Sequence, residues 1–174
     1  MKLSPAMQSF IRHWGEMGAR WGVNRSVAQI HALLYLAGRP LSADDLVEVL
    51  GIARSNVSTS LRELQNFNLV DLEHVPGDRR DHFRAKQDPW DMLLAIVEER
   101  KRREIDPALE MLRSCVAMAQ EDGETPAEAK ARLANMLKLL EQLDELYGRL
   151  RRVPRALLRR VVKLGDKISS LIQQ

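Results

Sequence analysis

Apolar positions recur at spacings of three and four through most of the chain, the pattern of amphipathic helices. Ser4-Pro5 opens the first helix, with serine as N-cap and proline at the first helical position, where its missing N–H costs nothing. This helix should reach about Trp21 and stop near Gly22. Ser26 is predicted to cap a second helix carrying Val27, Ile30, Leu33, Leu34 and Leu36, ended by Gly38 and Pro40. Ser42 with Asp45 three residues on reads as an acidic capping box for a short helix over 43–50, stopped by Gly51. A fourth helix is predicted over 54–67, followed by Asn68, a residue tolerated in the left-handed conformation that ends helices. The pattern then changes. Extended stretches over 69–75 and 82–85 flank Pro76-Gly77-Asp78, which predicts a β-hairpin. Asp88-Pro89 opens a helical pattern to about Gln120, which Pro107 should kink or break near Ile105-Asp106. Beyond the turn at Asp122-Gly123, Thr125-Pro126-Ala127-Glu128 combines cap, proline and capping-box glutamate for a helix to about Arg152, and Pro154 begins the last one.

This order predicts a mainly α fold: a winged helix-turn-helix with a two-stranded β-hairpin wing, then long C-terminal dimerisation helices. The expected division is residues 1–88 as the DNA-binding domain with its N-terminal helix, and 89–174 as the helical dimerisation and C-terminal segment.

Leu46, Leu50, Ile52, Val57, Leu61 and Leu64 are expected to hold the two short helices at a steep angle, with Gly51 permitting the turn between them. On a 3.6-residue period Val57, Leu61 and Leu64 share one face of the fourth helix. Ser55, Thr59, Arg62 and Asn66 fall on the opposite face, beside Arg54, Asn56 and Ser58. Small hydroxyls, amides and arginines suit base edges and phosphates better than the glutamates and lysines of an ordinary solvated face. Arg79 and Arg80 stand at the hairpin tip, where they can reach phosphate or the minor groove, and Asp78 and Asp81 flank them. Double-stranded DNA is the expected partner. The competing reading is a winged-helix protein-interaction module without DNA binding.

Charge sharpens this picture. The net charge is +3, but residues 149–174 hold eight basic residues and one acid, which leaves −4 for residues 1–148. Nucleic-acid binding must therefore come from a local basic surface. Hydrophobic residues at 45% and charged residues at 29% suit a soluble globular chain. No apolar run approaches the roughly 18 residues that span a bilayer, and residues 1–10 lack an apolar signal core, so a cytoplasmic protein is expected.

The stretches Leu50-Gly51-Ile52, Ser55-Asn56-Val57-Ser58, Leu61-Arg62-Glu63-Leu64, Leu69-Val70 and Gly77-Asp78-Arg79-Arg80-Asp81 together resemble the MarR-type winged-helix regulators. Gly18-Ala19-Arg20-Trp21-Gly22, Leu33-Leu34-Tyr35-Leu36 and Arg103-Glu104-Ile105-Asp106-Pro107 resemble its GbsR-like branch. The resemblance covers roughly residues 10–110. It implies a homodimeric, cytoplasmic, sequence-specific transcriptional regulator, commonly a repressor, that responds to a small molecule. Asn68 stands where the family usually has glycine before the wing.

In a chain with few aromatics, Trp14, Trp21, Tyr35 and Trp90 are candidates for an effector site. The GbsR-like branch implies choline-type cations, which aromatic faces attract, while packing is the plainer role. His13, His31, His74 and His82 show no metal-ligand spacing, although His74 and His82 could meet across the hairpin. Cys115, among Leu112, Val116 and Met118, reads as a buried packing thiol. No catalytic constellation, metal site or cofactor motif is recognisable, so no enzyme and no cofactor is expected.

In the helix after Thr125, Ala129, Leu133, Met136, Leu140, Leu143, Tyr147 and Leu150 form a heptad-like seam, widened by Leu137, Leu139 and Leu146. A two-stranded coil and a bundle both fit this pattern. The last helix should be amphipathic, with Leu157, Leu158, Val161, Val162, Leu164, Ile168, Leu171 and Ile172 opposite Arg155, Arg159, Arg160, Lys163 and Lys167. Packing against the dimer is the expected use of that helix, and a basic membrane-surface tail is the alternative.

Overall fold

The computed structural model describes residues 1–154, 156, 157 and 160. The chain is mainly helical and divides into two compact units, Met1–Val97 and Glu98–Gln174.

The first unit contains α1 (Pro5–Arg20), α2 (Arg25–Ala37), β1 (Leu41–Ser42), α3 (Ala43–Leu50), α4 (Arg54–Asn66), β2 (Val70–Glu73), β3 (His82–Ala85) and most of α5 (Pro89–Arg100). Its starts and stops are largely local chemistry. Ser4 Oγ accepts the Met7 amide at 3.3 Å, which caps α1. Ser42 Oγ accepts the Asp45 amide, and the Asp45 carboxylate accepts the Ser42 amide at 2.8 Å, so the predicted capping box forms. Asp88 Oδ1 accepts the Trp90 amide at the start of α5. Helix α2 corrects the prediction. Asn24 caps it rather than Ser26, because Asn24 Oδ1 accepts the Ser26 amide at 2.8 Å.

Asn68 takes φ 54°, and the Leu69 amide donates back to the Leu64 carbonyl at 3.0 Å. Leu64 and Leu69 are both buried beside this turn. Asparagine thus performs the helix-ending turn that glycine more often makes.

The wing is a three-stranded antiparallel sheet in the order β1-β3-β2. In its register Val70 faces Ala85 and Glu73 faces His82, while Leu41 of β1 faces Phe83. The two-residue strand β1 was not predicted, since so short a stretch carries no alternation of its own. Register also keeps the two hairpin histidines apart: His82 is buried opposite Glu73 and His74 is exposed.

Ile30, Leu33, Leu34, Leu41, Leu46, Val57, Leu64 and Val70 form the fully buried centre, with Leu61 and Phe83 at its edge. Leu50 and Ile52, expected in this core, are only partly buried against it. Helices α1 and α2 meet closely at Gly18, where an added Cβ would lie 2.6 Å from the Ala28 Cβ, so only glycine allows this approach.

In the second unit the chain passes through a π-helical turn (Lys101–Ile105) into α6 (Asp106–Glu121) and then α7 (Ala127–Arg151). Pro107 accounts for the turn. Its ring cannot tolerate the carbonyl four residues earlier, and widening the backbone to an i→i+5 bond, Asp106 amide to Lys101 carbonyl, relieves the clash. The expected break is therefore a local bulge. Thr125 does not cap α7. Asp122 instead accepts the Thr125 hydroxyl at 2.7 Å and its amide at 2.8 Å, and Pro126 stands at the cap position.

Leu109, Leu112 and Ala119 are the buried face of α6, and α6 and α7 pack together. Lys101 pairs with Asp106 and Asp144 and lies 5.9 Å from the centre of the Tyr147 ring. Cys115 is only half-buried, with Sγ 3.6 Å from Met111 Sδ, rather than enclosed in a core. The amphipathic pattern expected after Pro154 falls largely outside the described residues.

Candidate nucleic-acid interface

Burial of Val57, Leu61 and Leu64 fixes which face of α4 points outward. Arg54, Ser55, Asn56, Ser58, Thr59, Arg62 and Asn66 are all exposed. Helix α4 has no side-chain cap at its N-terminus, so its first amides face the same region as Arg54 with the positive end of the helix dipole. The result is a helix face of hydroxyls, amides and arginines, with positive character at its leading end.

The wing tip is ordered by charge. Gly77 takes φ 84° and the Asp78 amide donates to the Val75 carbonyl, which closes the turn. Asp78 Oδ1 accepts both the Arg80 amide and Nε at 3.0 Å. Its Oδ2 takes Arg80 Nη2 at 2.5 Å. Hydrogen bonding from Arg80 holds the Asp78 carboxyl far below the usual carboxylate range, and Asp78 raises the guanidinium in return. The buried His82 donates from Nδ1 to the Arg80 carbonyl at 2.8 Å, anchoring the base of the same turn. Arg80 is thus held in place, whereas Arg79 is exposed and makes no ion pair among the described residues.

Helix and wing share one groove. A cavity of about 370 Å³ is lined by Arg54, Ser58, Arg62 and Gln65 of α4, by Ser42, Ala43 and Asp44 at the start of α3, and by Arg80, Asp81 and Phe83 of the wing. Three of the predicted arginines, 54, 62 and 80, therefore converge on it, together with Ser58. Ser55, Asn56, Thr59, Asn66 and Arg79 are exposed but do not line it. Gln65 was not predicted, although Ser58, Arg62 and Gln65 follow a four-and-three spacing that a helical projection would have revealed. Asp44 was also missed, since no local pattern signals a contact with a residue ten positions away.

The aromatic candidates separate into two sets. Trp14 and Tyr35 line a second cavity of about 190 Å³ with Phe10, His31, Ala32 and Met92. The Phe10 and Trp14 rings stack with centroids 5.3 Å apart, and Trp14 lies 6.2 Å from His31. Trp21 is exposed and Trp90 half-buried, and neither lines this cavity. Burial lowers the His31 pKa to about 4, and its Nε2 has no hydrogen-bond partner among the described residues.

This depression has a testable consequence. The unfolded chain takes up the proton near pH 6.5 and the folded chain only near 4. Stability is therefore complete above pH 6.5 and falls as pH drops from 6.5 toward 4, by an amount on the order of 3 kcal/mol. Urea unfolding at pH 7 and pH 4.5 should register that loss in the wild type and a much smaller loss in His31→Phe. Equal losses in both proteins would acquit His31.

A buried three-helix core, a helix-turn-helix with its polar face outward and an arginine-tipped sheet beside it define the winged helix-turn-helix class. The MarR family model matches residues 21–81, which span α2 to the wing turn. That match and the relatives below place a MarR-like winged helix in the first unit, and the chain is similar along most of its length to proteins named as transcriptional regulators. It is 20% identical over 153 residues to YvaV of Bacillus subtilis, named as an HTH-type transcriptional regulator, covering 87% of this chain and 86% of that protein. It is 21% identical over 137 residues to the HTH-type transcriptional repressor OpcR of the same organism, covering 76% of this chain and 74% of OpcR. A solved structure of a transcriptional regulator shares the fold with TM-score 0.64 and 22% identity, covering 86% of this chain and all of that one.

Proposed function

We propose that this chain is a homodimeric repressor of the GbsR-like branch that binds double-stranded DNA in a sequence-specific manner and releases it in response to a small molecule. The convergence of Arg54, Arg62 and Arg80 on one groove between the recognition helix and the wing carries the DNA reading. In this reading Ser55, Asn56, Ser58, Thr59, Arg62 and Asn66 meet base edges and phosphates in the major groove. Arg54, Arg79 and Arg80 meet the backbone or the minor groove. Residues 1–88 bind DNA and 89–174 dimerise. The repressor sense follows the likeness to OpcR, and the branch follows the motifs around Gly18, Tyr35 and Pro107. Action on DNA, with no helix of the described residues long and apolar enough to cross a membrane, fits a cytoplasmic site of work.

The dimer reading rests on α7. Met136, Leu139, Leu143, Leu146 and Leu150 are each 44–51% exposed and follow one another at spacings of three and four. Leu133, Leu137, Leu140 and Tyr147 are half-buried. The wide apolar seam thus serves two purposes, one stripe closing the unit and the other left for a second copy. The effector reading rests on the cavity of Trp14 and Tyr35, whose rings suit an apolar or quaternary-ammonium ligand next to a neutral imidazole. Trp21 and Trp90 would contribute only if the ligand extended beyond that lining.

Selection of bound sequences from a random duplex pool tests the proposal. Enrichment of a motif with twofold symmetry and half-sites about 34 Å apart is expected. Failure to enrich any sequence would favour a winged-helix protein-interaction module.

A further inference from the structure

Two of the three arginines of the groove, Arg54 and Arg80, are engaged by carboxylates of the protein itself. Arg54 Nη1 pairs with Asp44 Oδ1. The other oxygen of the same carboxylate, Oδ2, lies 3.9 Å from Arg80 Nη1. One side chain in the first turn of α3 therefore reaches both the start of the recognition helix and the wing tip. Asp44 is not needed as the cap of α3, since Ser42 and Asp45 form that box between themselves. Nor does Arg80 depend on it for order, because Asp78 holds Arg80 through three hydrogen-bonded contacts. The Asp44 side chain is half exposed, at the mouth of the groove where Arg54, Arg62 and Arg80 converge.

We propose that Asp44 is a built-in competitor for the DNA backbone: its carboxylate occupies Arg54 and Arg80, and a phosphate must take its place. The inference rests on the DNA-binding reading above. An anionic carboxylate and a phosphodiester offer the same two-oxygen face to a guanidinium, so one can substitute for the other. Exchange of one for the other leaves the Asp44 charge uncompensated near the backbone. That charge lowers affinity for every duplex by a similar factor. Nonspecific binding, which depends on phosphate contacts alone, is thereby brought down along with specific binding, and the ratio of the two, set by base contacts, is unchanged. The same charge also lowers the number of cations released on binding, because the freed carboxylate recruits one.

The test is a salt titration of binding to a random-sequence duplex by the full-length protein, with Asp44→Asn, Asp44→Ser, Arg54→Gln/Arg80→Gln and the triple variant with Asp44→Asn. Serine is a good first-turn residue and guards against a fault in helix α3, and thermal melts verify folding. The expected result is tighter binding at low salt for both Asp44 variants. The slope of log K against log salt should steepen by about 0.9 per protomer. The gain should vanish when the two arginines are already replaced. Weaker binding, or an unchanged slope, in Asp44→Asn while the double-arginine variant loses affinity would overturn the proposal and leave Asp44 as a structural tie. Unchanged binding by the double-arginine variant would overturn it in a different way, by removing the groove from the DNA interface altogether.

Discussion

Leu143→Asp should convert the protein to a monomer at micromolar concentration and weaken DNA binding by about 10²–10⁴-fold. Leu143 is 50% exposed in the isolated chain and central in the outward stripe of α7, between Leu139 and Leu146. A carboxylate buried there without a partner would cost the interface several kcal/mol, and twofold symmetry introduces it twice. The fold should survive, because no residue of α7 is fully buried in its own unit. Helical circular dichroism should then be unchanged while sedimentation velocity reports half the mass. The loss on DNA follows from geometry: two linked recognition helices bind the second half-site at a high effective concentration, and separate monomers do not. A Leu143→Asp protein that remains dimeric would move the interface away from this stripe.

Arg62→Ala should cost about 1–3 kcal/mol per half-site and relax the preference at one base position in each. Arg62 stands on the outward face of α4, lines the groove with Ser58 and Gln65, and makes no ion pair among the described residues. It is therefore available for a guanine edge in a way that Arg54 and Arg80, tied to Asp44 and Asp78, are not. Competition assays with single-base variants of the selected sequence would detect the relaxed position. A uniform loss across all variants would assign Arg62 to phosphate instead.

The parts legible in the sequence were those fixed by short-range chemistry. The Ser42–Asp45 box, the stop at Asn68, the Asp88 cap and the outward face of α4 all follow from residues within one or two helical turns. The errors lay where two local donors compete or where partners are remote. Asn24 took the cap from Ser26 by reaching two residues forward, and Asp122 took the Thr125 hydroxyl that would have capped α7. Strand β1 exists because β3 pairs with it across some forty residues, and nothing in Leu41-Ser42 itself signals that. The site shows the same division. A helical projection placed Arg62 and Ser58 correctly on the surface, but the meeting of Asp44 with Arg54 and Arg80 depends on tertiary geometry. The Trp14 and Tyr35 cavity likewise includes Phe10, His31 and Met92, whose apolar and helical settings look like plain core in the sequence.

The most direct measurement of the central claim, that α4 and the wing act together on DNA in different ways, is one salt titration of three proteins on the selected duplex. In the wild type, log K should fall linearly with log salt. Arg62→Ala should lose specific affinity with its nonspecific affinity nearly intact. Arg79→Ala/Arg80→Ala should lose specific and nonspecific affinity alike, with a slope shallower by about one unit for each phosphate contact removed. Unchanged affinity and slope in both variants would contradict the account and leave the winged helix as a surface for binding another protein.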